Sequence, residues 1–301
     1  MAAIALPRPL TPVTLIRRVN RFAVEVRAVG THRRLYLHLP NSGRMSELLR
    51  TGVRGMAHLA PRPGGRTRGT LVIVRHRGRW VGVDARVPNR LFEAGLRMGT
   101  LVPFDGYRVW RREVRFRGGR VDFTLEGAEG TCLVETKSCN RVEDGVALFP
   151  DAPTTRGARH LVALSRAARE GRRAAVVWFV QRDDTHVLRA DETADPVFAA
   201  AARDAAAAGV ELYAYACRVT PGRVAVLRPI PVETGKEVQG EPRPAVRGGR
   251  RRTVPRPATG TAETATVVPQ DREAVVPGLA VAVKRSMTAA RVRRAARPAR
   301  P

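Results

Sequence analysis

Residues 119–139 read GRVDFTLEGAEGTCLVETKSC, and this stretch decides the fold. Two runs rich in Val, Leu, Phe and Thr, at 120–125 and 131–139, flank a short turn that contains glycine. Such runs favour β-strands, and a glycine-bearing turn between them is typical of a hairpin. The sequence therefore predicts an antiparallel pair of strands at this point in the chain.

Three charged side chains lie inside these strands, where a buried face should carry none. Asp122 is in the first strand, and Glu135 and Lys137 are in the second. Because side chains alternate across a strand, Glu135 and Lys137 share a face, and the turn length lets Asp122 lie opposite Glu135. Two close carboxylates repel each other unless a cation neutralises them, and their oxygens suit Mg²⁺ or Mn²⁺. We therefore predict a divalent-cation site, with the Thr136 carbonyl as a further ligand and Lys137 polarising an attacking water.

A simpler arrangement of the same residues stays open. Asp122 and Lys137 can form a cross-strand ion pair on a solvated face, with Glu135 beside them. The tripeptide Glu-x-Lys is common and indicates little alone. The stronger signal is the whole pattern, in which an Asp-bearing strand is followed by Glu-x-Lys in an apolar strand and then by a helix.

The charge of the chain indicates a polyanionic partner. Its 301 residues include 54 Lys plus Arg and 27 Asp plus Glu, a formal net charge of +27. Nucleic acid is the commonest soluble polyanion, so a surplus of this size favours nucleic-acid binding. The alternative is codon bias, since an Arg- and Ala-rich chain with few Lys is also what a GC-rich genome produces.

Cysteine usage and hydropathy bear on the compartment. The three cysteines, Cys132, Cys139 and Cys217, form neither an even disulfide set nor a CxxC metal motif, which fits a reducing cytoplasm. The N-terminal segment makes a poor signal peptide, and no apolar run approaches the length of a membrane span. We expect a soluble cytoplasmic protein with no membrane partner.

The pattern along the chain divides it into three parts. Short alternating strands and a Gly-rich loop predict a small OB-like β-barrel over residues 1–85. Strands alternate with helices over residues 86–232, which predicts an α/β layer domain. Residues 233–301 are rich in Arg, Pro, Gly and Thr, and we predict a disordered basic tail there.

The hairpin motif resembles a known nuclease core. RVDF together with VETKS is similar to the core of the PD-(D/E)xK nuclease superfamily. The resemblance implies that Asp122, Glu135 and Lys137 are the catalytic residues. Val121 stands where the superfamily pattern has proline, which leaves the aspartate ligand in place.

Longer motifs narrow the resemblance to one family. VETKSCNRVEDGVALFPDAPTTRGARHL at 134–161, LHLPNSGRM at 37–45 and VPNRL at 87–91 resemble the sugar fermentation stimulation protein A family. The resemblance covers residues 10–232. It implies an N-terminal OB-like barrel, a C-terminal PD-(D/E)xK nuclease-like domain and DNA binding, with nuclease activity inferred from the fold.

Further residues are candidates for the surroundings of the site. Glu113 is either an additional acidic ligand or an exposed strand carboxylate among arginines. Candidates for contact with nucleic-acid phosphates are Arg44, Arg90, Arg156 and His160, of which Arg156 and His160 lie four apart on one helix face. Candidates for stacking on bases are Tyr36, Trp80 and Phe92.

Three functions follow from these observations. The leading hypothesis is a Mg²⁺- or Mn²⁺-dependent, nuclease-like protein that binds DNA in preference to RNA. The alternative is a non-catalytic DNA-binding regulator, linked to sugar metabolism, that keeps the fold and the carboxylates. The third is an interaction protein whose charge reflects codon bias. A steep dependence of DNA affinity on salt separates the first two from the third.

Overall fold

The computed structural model describes residues 1–60 and 64–235. The first seven strands are β1 (Ala3–Ala5), β2 (Thr11–Asn20), β3 (Ala23–Ala28), β4 (Arg34–His38), β5 (Arg54–His58), β6 (Thr70–His76) and β7 (Arg79–Gly82). The later strands are β8 (Val109–Phe116), β9 (Gly119–Gly127), β10 (Gly130–Cys139), β11 (Val142–Glu143), β12 (Val146–Phe149), β13 (Arg173–Val180), β14 (Val187–Ala190), β15 (Glu211–Val219), β16 (Arg223–Ile230) and β17 (Val232–Glu233). The helices are α1 (Val87–Met98), α2 (Thr155–Arg169) and α3 (Pro196–Ala207).

The N-terminal part contains the small barrel that the sequence predicts. Its strands follow the order β4-β3-β2-β5-β6-β7, and β4 returns to β6 through the pairing of His38 with Thr70. Five strands therefore close on themselves, and β7 extends β6 as a hairpin. The alternating apolar side chains of these strands fill the barrel, where Val24, Val26 and Leu37 are fully buried.

The second part is a layered α/β domain around a seven-stranded sheet. Its order is β1-β16-β15-β13-β10-β9-β8, with β10, β13 and β15 parallel to one another and the other pairs antiparallel. One face packs against α1 and the barrel strand β6, and the other packs against α2 and α3. A small sheet, β11-β12-β14-β17, completes the second layer. Strand β13 is buried on both faces, as its continuous apolar run predicts.

Two of the three described helices begin at a capping side chain, and the third does not. The Thr154 hydroxyl accepts from Gly157 N and begins α2, and the Asp195 carboxylate accepts from Phe198 N and begins α3. The pattern PNRLFEAGLRMG at 88–99 predicts Asn89 as the cap of α1. This is wrong, because α1 begins two residues earlier at Val87. A proline is favoured in the first helical turn, and Pro88 occupies that place here.

The chain starts in the α/β sheet rather than in the barrel. Strand β1 pairs with β16, with Ile4 opposite Val224, so the first residues of the predicted barrel segment 1–85 lie in the other sheet. At the far end, β17 continues the small sheet to Glu233. The predicted disordered tail lies outside the described residues from 236 onward. Within the part of the chain that the structure describes, no helix is long and apolar enough to span a membrane.

Candidate active site

The regular pairing of β9 is interrupted on both sides at Asp122. The ladder with β10 stops at Phe123 and Val134, one residue before Asp122 and Glu135. The ladder with β8 skips the same position, where Glu113 adopts a left-handed backbone with φ of 52°. The backbone amides near Asp122 are therefore free to bond side chains instead of the neighbouring strand. If the register of the two ladders is continued by one residue, one row across the three strands holds Glu113, Asp122 and Glu135.

Asp122 is held through one carboxylate oxygen. The Thr136 amide N–H donates to Asp122 Oδ2 over 2.8 Å, and the Thr136 hydroxyl lies 2.9 Å from the same oxygen. Burial raises the pKa of Asp122, and the neighbouring Glu135 carboxylate raises it further. The bonds from Thr136 and the charge of Lys137 oppose that rise without cancelling it. The neighbouring groups therefore do not supply enough positive charge to stabilise the ionised form of Asp122 fully.

Glu135 lies in the opposite electrostatic environment. Its side chain is 5% exposed, and its Oε1 accepts from Lys137 Nζ at 2.6 Å and contacts His160 Nδ1. Burial by itself would raise the pKa of Glu135, but the Lys137 ammonium and the bond to His160 outweigh it and hold the pKa below its ordinary value. The alternative arrangement, an ion pair between Asp122 and Lys137, is not observed among the described residues, since Lys137 pairs with Glu135.

Both carboxylates leave one oxygen uncommitted. Asp122 Oδ1 and Glu135 Oε2 accept no hydrogen bond from any residue that the structure describes. A hard divalent cation fits this donor set, because Mg²⁺ takes one or two protein carboxylates and fills its remaining positions with water or phosphate oxygens. Residues 1–60 and 64–235 contain no cluster of three His, Cys, Asp or Glu side chains close enough to cage a metal alone. Any cation here would therefore be shared with solvent or substrate.

Glu113 stands at the edge of this group. Its side chain is 49% exposed and lies 3.7 Å from Arg120. A left-handed backbone costs a non-glycine residue roughly 1–2 kcal/mol, and such strain is concentrated at functional sites. The position is compatible with either alternative raised by the sequence, an extra acidic ligand or an exposed carboxylate among arginines.

The carboxylates line an open cleft of about 1420 Å³. Barrel residues Asn41, Ser42 and Gly43 line one part of it, and residues of β10 and the segment before α2 line another. The arginines along it are Arg21, Arg86, Arg90, Arg112, Arg141 and Arg156. Its acidic residues are Asp84, Glu113, Asp122, Glu135 and Asp151, so its basic residues are in excess. A cleft of this size with an excess of basic residues suits an extended anionic substrate.

The predicted phosphate contacts are dispersed around the cleft. Arg90 and Arg156 line it and are exposed. Arg44 is exposed but lies outside the cleft lining, although its neighbours Ser42 and Gly43 are part of it. His160 is turned inward, with its side chain 14% exposed and in contact with Glu135 rather than facing solvent.

One predicted stacking residue is wrong. Phe92 is fully buried, with its ring edge-on to Phe104 and tilted against Phe123 at 4.9 Å. The reason is that Phe92 lies on the face of α1 that packs into the core between the sheet and barrel strand β6. Trp80 is half-buried under the Arg75 guanidinium, and Tyr36 is 45% exposed on the barrel. Neither Trp80 nor Tyr36 lines the cleft.

Asn89 is the site residue that sequence reasoning missed. Its Oδ1 lies 2.5 Å from the Thr136 hydroxyl, which in turn contacts Asp122, so α1 helps to fix the position of the aspartate. The motif VPNRL places this amide at the start of a helix, where its residue type fits a cap as well as a side-chain contact. The contact between the Asn89 amide and Thr136 of β10 forms only through the tertiary packing of α1.

Comparison with known families accounts for both parts of the chain. The family description "SfsA N-terminal OB domain" matches residues 16–83, and "Sugar fermentation stimulation protein RE domain" matches residues 86–223. A sugar fermentation stimulation protein homolog of Moorella thermoacetica is 43% identical over 232 residues, which are 76% of this chain and 99% of the relative. The chain belongs to the sugar fermentation stimulation protein family.

Other members agree in sequence and in structure. The homolog of Chloroflexus aurantiacus is 41% identical over 74% of this chain and 86% of its own length. The structure of Pyrococcus furiosus SfsA in complex with Ca²⁺ matches with a TM-score of 0.71 and 31% identity, over 77% of this chain and 99% of that one. The family that the sequence predicts is confirmed, and so is its arrangement of an OB-like barrel followed by an α/β domain.

Proposed function

We propose that this protein binds DNA and hydrolyses phosphodiester bonds with Mg²⁺ or Mn²⁺ held by Asp122 and Glu135. One observation carries the proposal: two carboxylates from neighbouring strands meet at an arginine-lined cleft, and each is bonded through one oxygen and free at the other. The backbone carbonyl of Thr136 is proposed as a third ligand from the protein.

Each side chain has a separate role in this proposal. A divalent cation supplies positive charge to both carboxylates and to the substrate phosphate, and it makes water a better nucleophile. Lys137, 13% exposed beside Glu135, orients the water and offsets the negative charge that develops on phosphate. Hydrolysis forms one bond from the water oxygen to phosphorus and breaks one bridging P–O bond. One water proton ends on the leaving oxygen and the other passes to solvent.

The basic walls of the cleft support a nucleic-acid substrate. Arg90 and Arg156 are exposed in the cleft, and Arg44 lies next to it, so phosphates on both sides of the scissile bond would meet guanidinium groups. The relative from Pyrococcus furiosus is in complex with Ca²⁺, another hard cation that takes oxygen ligands. This supports a divalent cation in the family.

A second function has one observation in its favour. Lys137 Nζ is 2.6 Å from Glu135, so part of the carboxylate's charge is already neutralised without a metal. A non-catalytic DNA-binding regulator that keeps the fold would use this ion pair as structure only. It would bind DNA with a steep salt dependence and cleave nothing.

Cleavage of labelled DNA and RNA, single-stranded and duplex, separates the two functions. The protein is incubated with Mg²⁺, Mn²⁺ or EDTA, and Asp122→Asn is compared with Asp144→Asn. Asp144 is an exposed turn acid outside the cleft and is the matched control. We expect metal-dependent cleavage of DNA that Asp122→Asn loses and Asp144→Asn keeps. DNA binding without cleavage under every metal condition would favour the regulator.

A further inference from the structure

A second groove adjoins the active site between the β8–β9 hairpin and helix α2. It measures about 1100 Å³, and we call it the hairpin groove. Its arginines are Arg115, Arg117 and Arg120 from the hairpin and Arg156 and Arg159 from α2. Within the part of the chain that the structure describes, two acidic residues line it, Glu113 and Glu135.

Most of this positive charge is not neutralised by the protein. Among residues 1–60 and 64–235, no carboxylate lies within 4 Å of Arg115, Arg156 or Arg159. Arg117 pairs with Glu170, and Arg120 is 3.7 Å from Glu113. Converging guanidinium groups without acidic partners raise the free energy of the protein unless an anion lies between them. Arginine in this arrangement fits phosphate, which it can bind through two parallel hydrogen bonds.

The hairpin groove and the active-site cleft meet at the catalytic carboxylates. Glu113, Glu135 and Arg156 line both, so the proposed scissile position lies between two basic channels rather than at the end of one. A mononucleotide or a strand terminus would need only one of them. A continuous polynucleotide would occupy both.

We infer that the hairpin groove binds the sugar-phosphate backbone of DNA on one side of the scissile bond, so that the site acts on internal phosphodiesters. The cleavage part of this inference rests on the proposed function, whereas the binding of DNA in the hairpin groove does not. The cleft holds the backbone on one side of Glu135, and the arginines of the hairpin and of α2 hold it on the other. Because these contacts go to phosphate, they impose no base sequence.

Binding is tested with matched pairs of arginine substitutions. The double variant Arg115→Gln/Arg159→Gln removes two charges from the groove, and Arg27→Gln/Arg54→Gln removes two from exposed barrel strands outside both channels. Affinity for a labelled duplex of about 30 base pairs is measured against salt, since each lost phosphate contact flattens the slope of log K by about 0.9. We expect the groove variant to lose about two units of slope and the control none. Equal slopes for the two variants would overturn the inference.

Internal cleavage is tested with covalently closed circular DNA, which has no ends. We expect the full-length protein with Mn²⁺ to nick the circle and the groove variant to do so at least about tenfold more slowly, while the barrel variant matches wild type. Cleavage of linear DNA with an intact circle would overturn the inference and leave the proposed function standing. If neither the linear nor the circular DNA is cleaved, the proposed function is contradicted. The salt slopes would then still show whether the hairpin groove binds DNA. Displacement of DNA by polyglutamate at equal charge would indicate an acidic protein partner and overturn the inference.

Discussion

The β9 side and the β10 side of the active site hold carboxylates in opposite surroundings. On β9, Asp122 has Thr136 as its one direct donor among the described residues, and burial and the charge of Glu135 raise its pKa. On β10, Glu135 has Lys137 and His160, and its pKa is lowered despite deeper burial. The difference indicates a division of labour. Glu135 is already paired with Lys137 and bonded to His160 without a metal, whereas Asp122 gains most from an added cation.

Lys137 should have a large effect on cleavage alone. Lys137→Ala removes the ammonium that the proposed function assigns to the reaction but neither free carboxylate oxygen, so Mn²⁺ binding should persist while cleavage falls on the order of a hundredfold. Arg218→Ala is the control, since Arg218 is exposed on the same sheet and lies outside both channels. Rates of DNA cleavage at saturating Mn²⁺ give the answer. An unchanged rate would reduce Lys137 to the structural partner of Glu135.

The two carboxylates should differ in their effect on stability. Glu135→Gln leaves the nearly buried Lys137 without its charged partner, so the free energy of unfolding at pH 7 should fall by roughly 2–4 kcal/mol. Asp122→Asn removes a carboxylate that burial disfavours and keeps an acceptor for the Thr136 amide. Its free energy of unfolding should stay within about 1 kcal/mol of wild type, or rise. Urea unfolding without metal measures both, and equal losses would contradict the division of labour.

The same stability difference should depend on pH. Because the pKa of Glu135 is lowered in the folded protein, its stabilisation is present above its unfolded pKa and is lost as pH falls through the folded value. The pKa of Asp122 is raised, so its cost is present above the folded value and disappears at lower pH. The gap between the two variants should therefore narrow below about pH 4. Urea unfolding at a series of acidic pH values checks this, and a constant gap would contradict the assigned pKa directions.

The smallest effect is expected at Glu113. Glu113→Gly relieves a left-handed backbone and should raise the free energy of unfolding by about 1 kcal/mol. Asp144→Gly is the matched control, because Asp144 has a φ of 46° in a turn outside the cleft. We expect Glu113→Gly to weaken Mn²⁺ binding by less than about tenfold and Asp144→Gly to leave it unchanged. A loss as large as that of Asp122→Asn would make Glu113 a full ligand.

Sequence reasoning reached the parts of the site that depend on local pattern. Strand periodicity and turn length were enough to bring Asp122 opposite Glu135. The contact of His160 with Glu135 depends on how α2 packs against the sheet, which no local signal encodes. Phe92 and Asn89 show the same limit, since one is buried and the other reaches Thr136 only because α1 lies between the barrel and the sheet.

The domain boundaries show the effect of long-range pairing. Residues Ala3–Ala5 have the alternating character of the barrel strands that follow, so the sequence grouped them with the barrel. Their partners, at Arg223–Ala225, are more than 200 residues away. The residue pattern of a short edge strand such as β1 does not indicate which of the two sheets it joins when its partner strand is at the other end of the chain. The boundaries at 85/86 and 232/233 stay predictions, which limited proteolysis can locate.

Calorimetric titration with Mn²⁺ tests the central claim most directly. The claim is that Asp122 and Glu135 together hold a divalent cation at the cleft, with Asp122 the more dependent on it. Wild type and Asp144→Asn should bind Mn²⁺ alike, and Asp122→Asn should bind at least about a hundredfold more weakly while remaining folded. If Asp122→Asn binds Mn²⁺ as wild type does, the cation is held elsewhere and the assignment of the site is wrong.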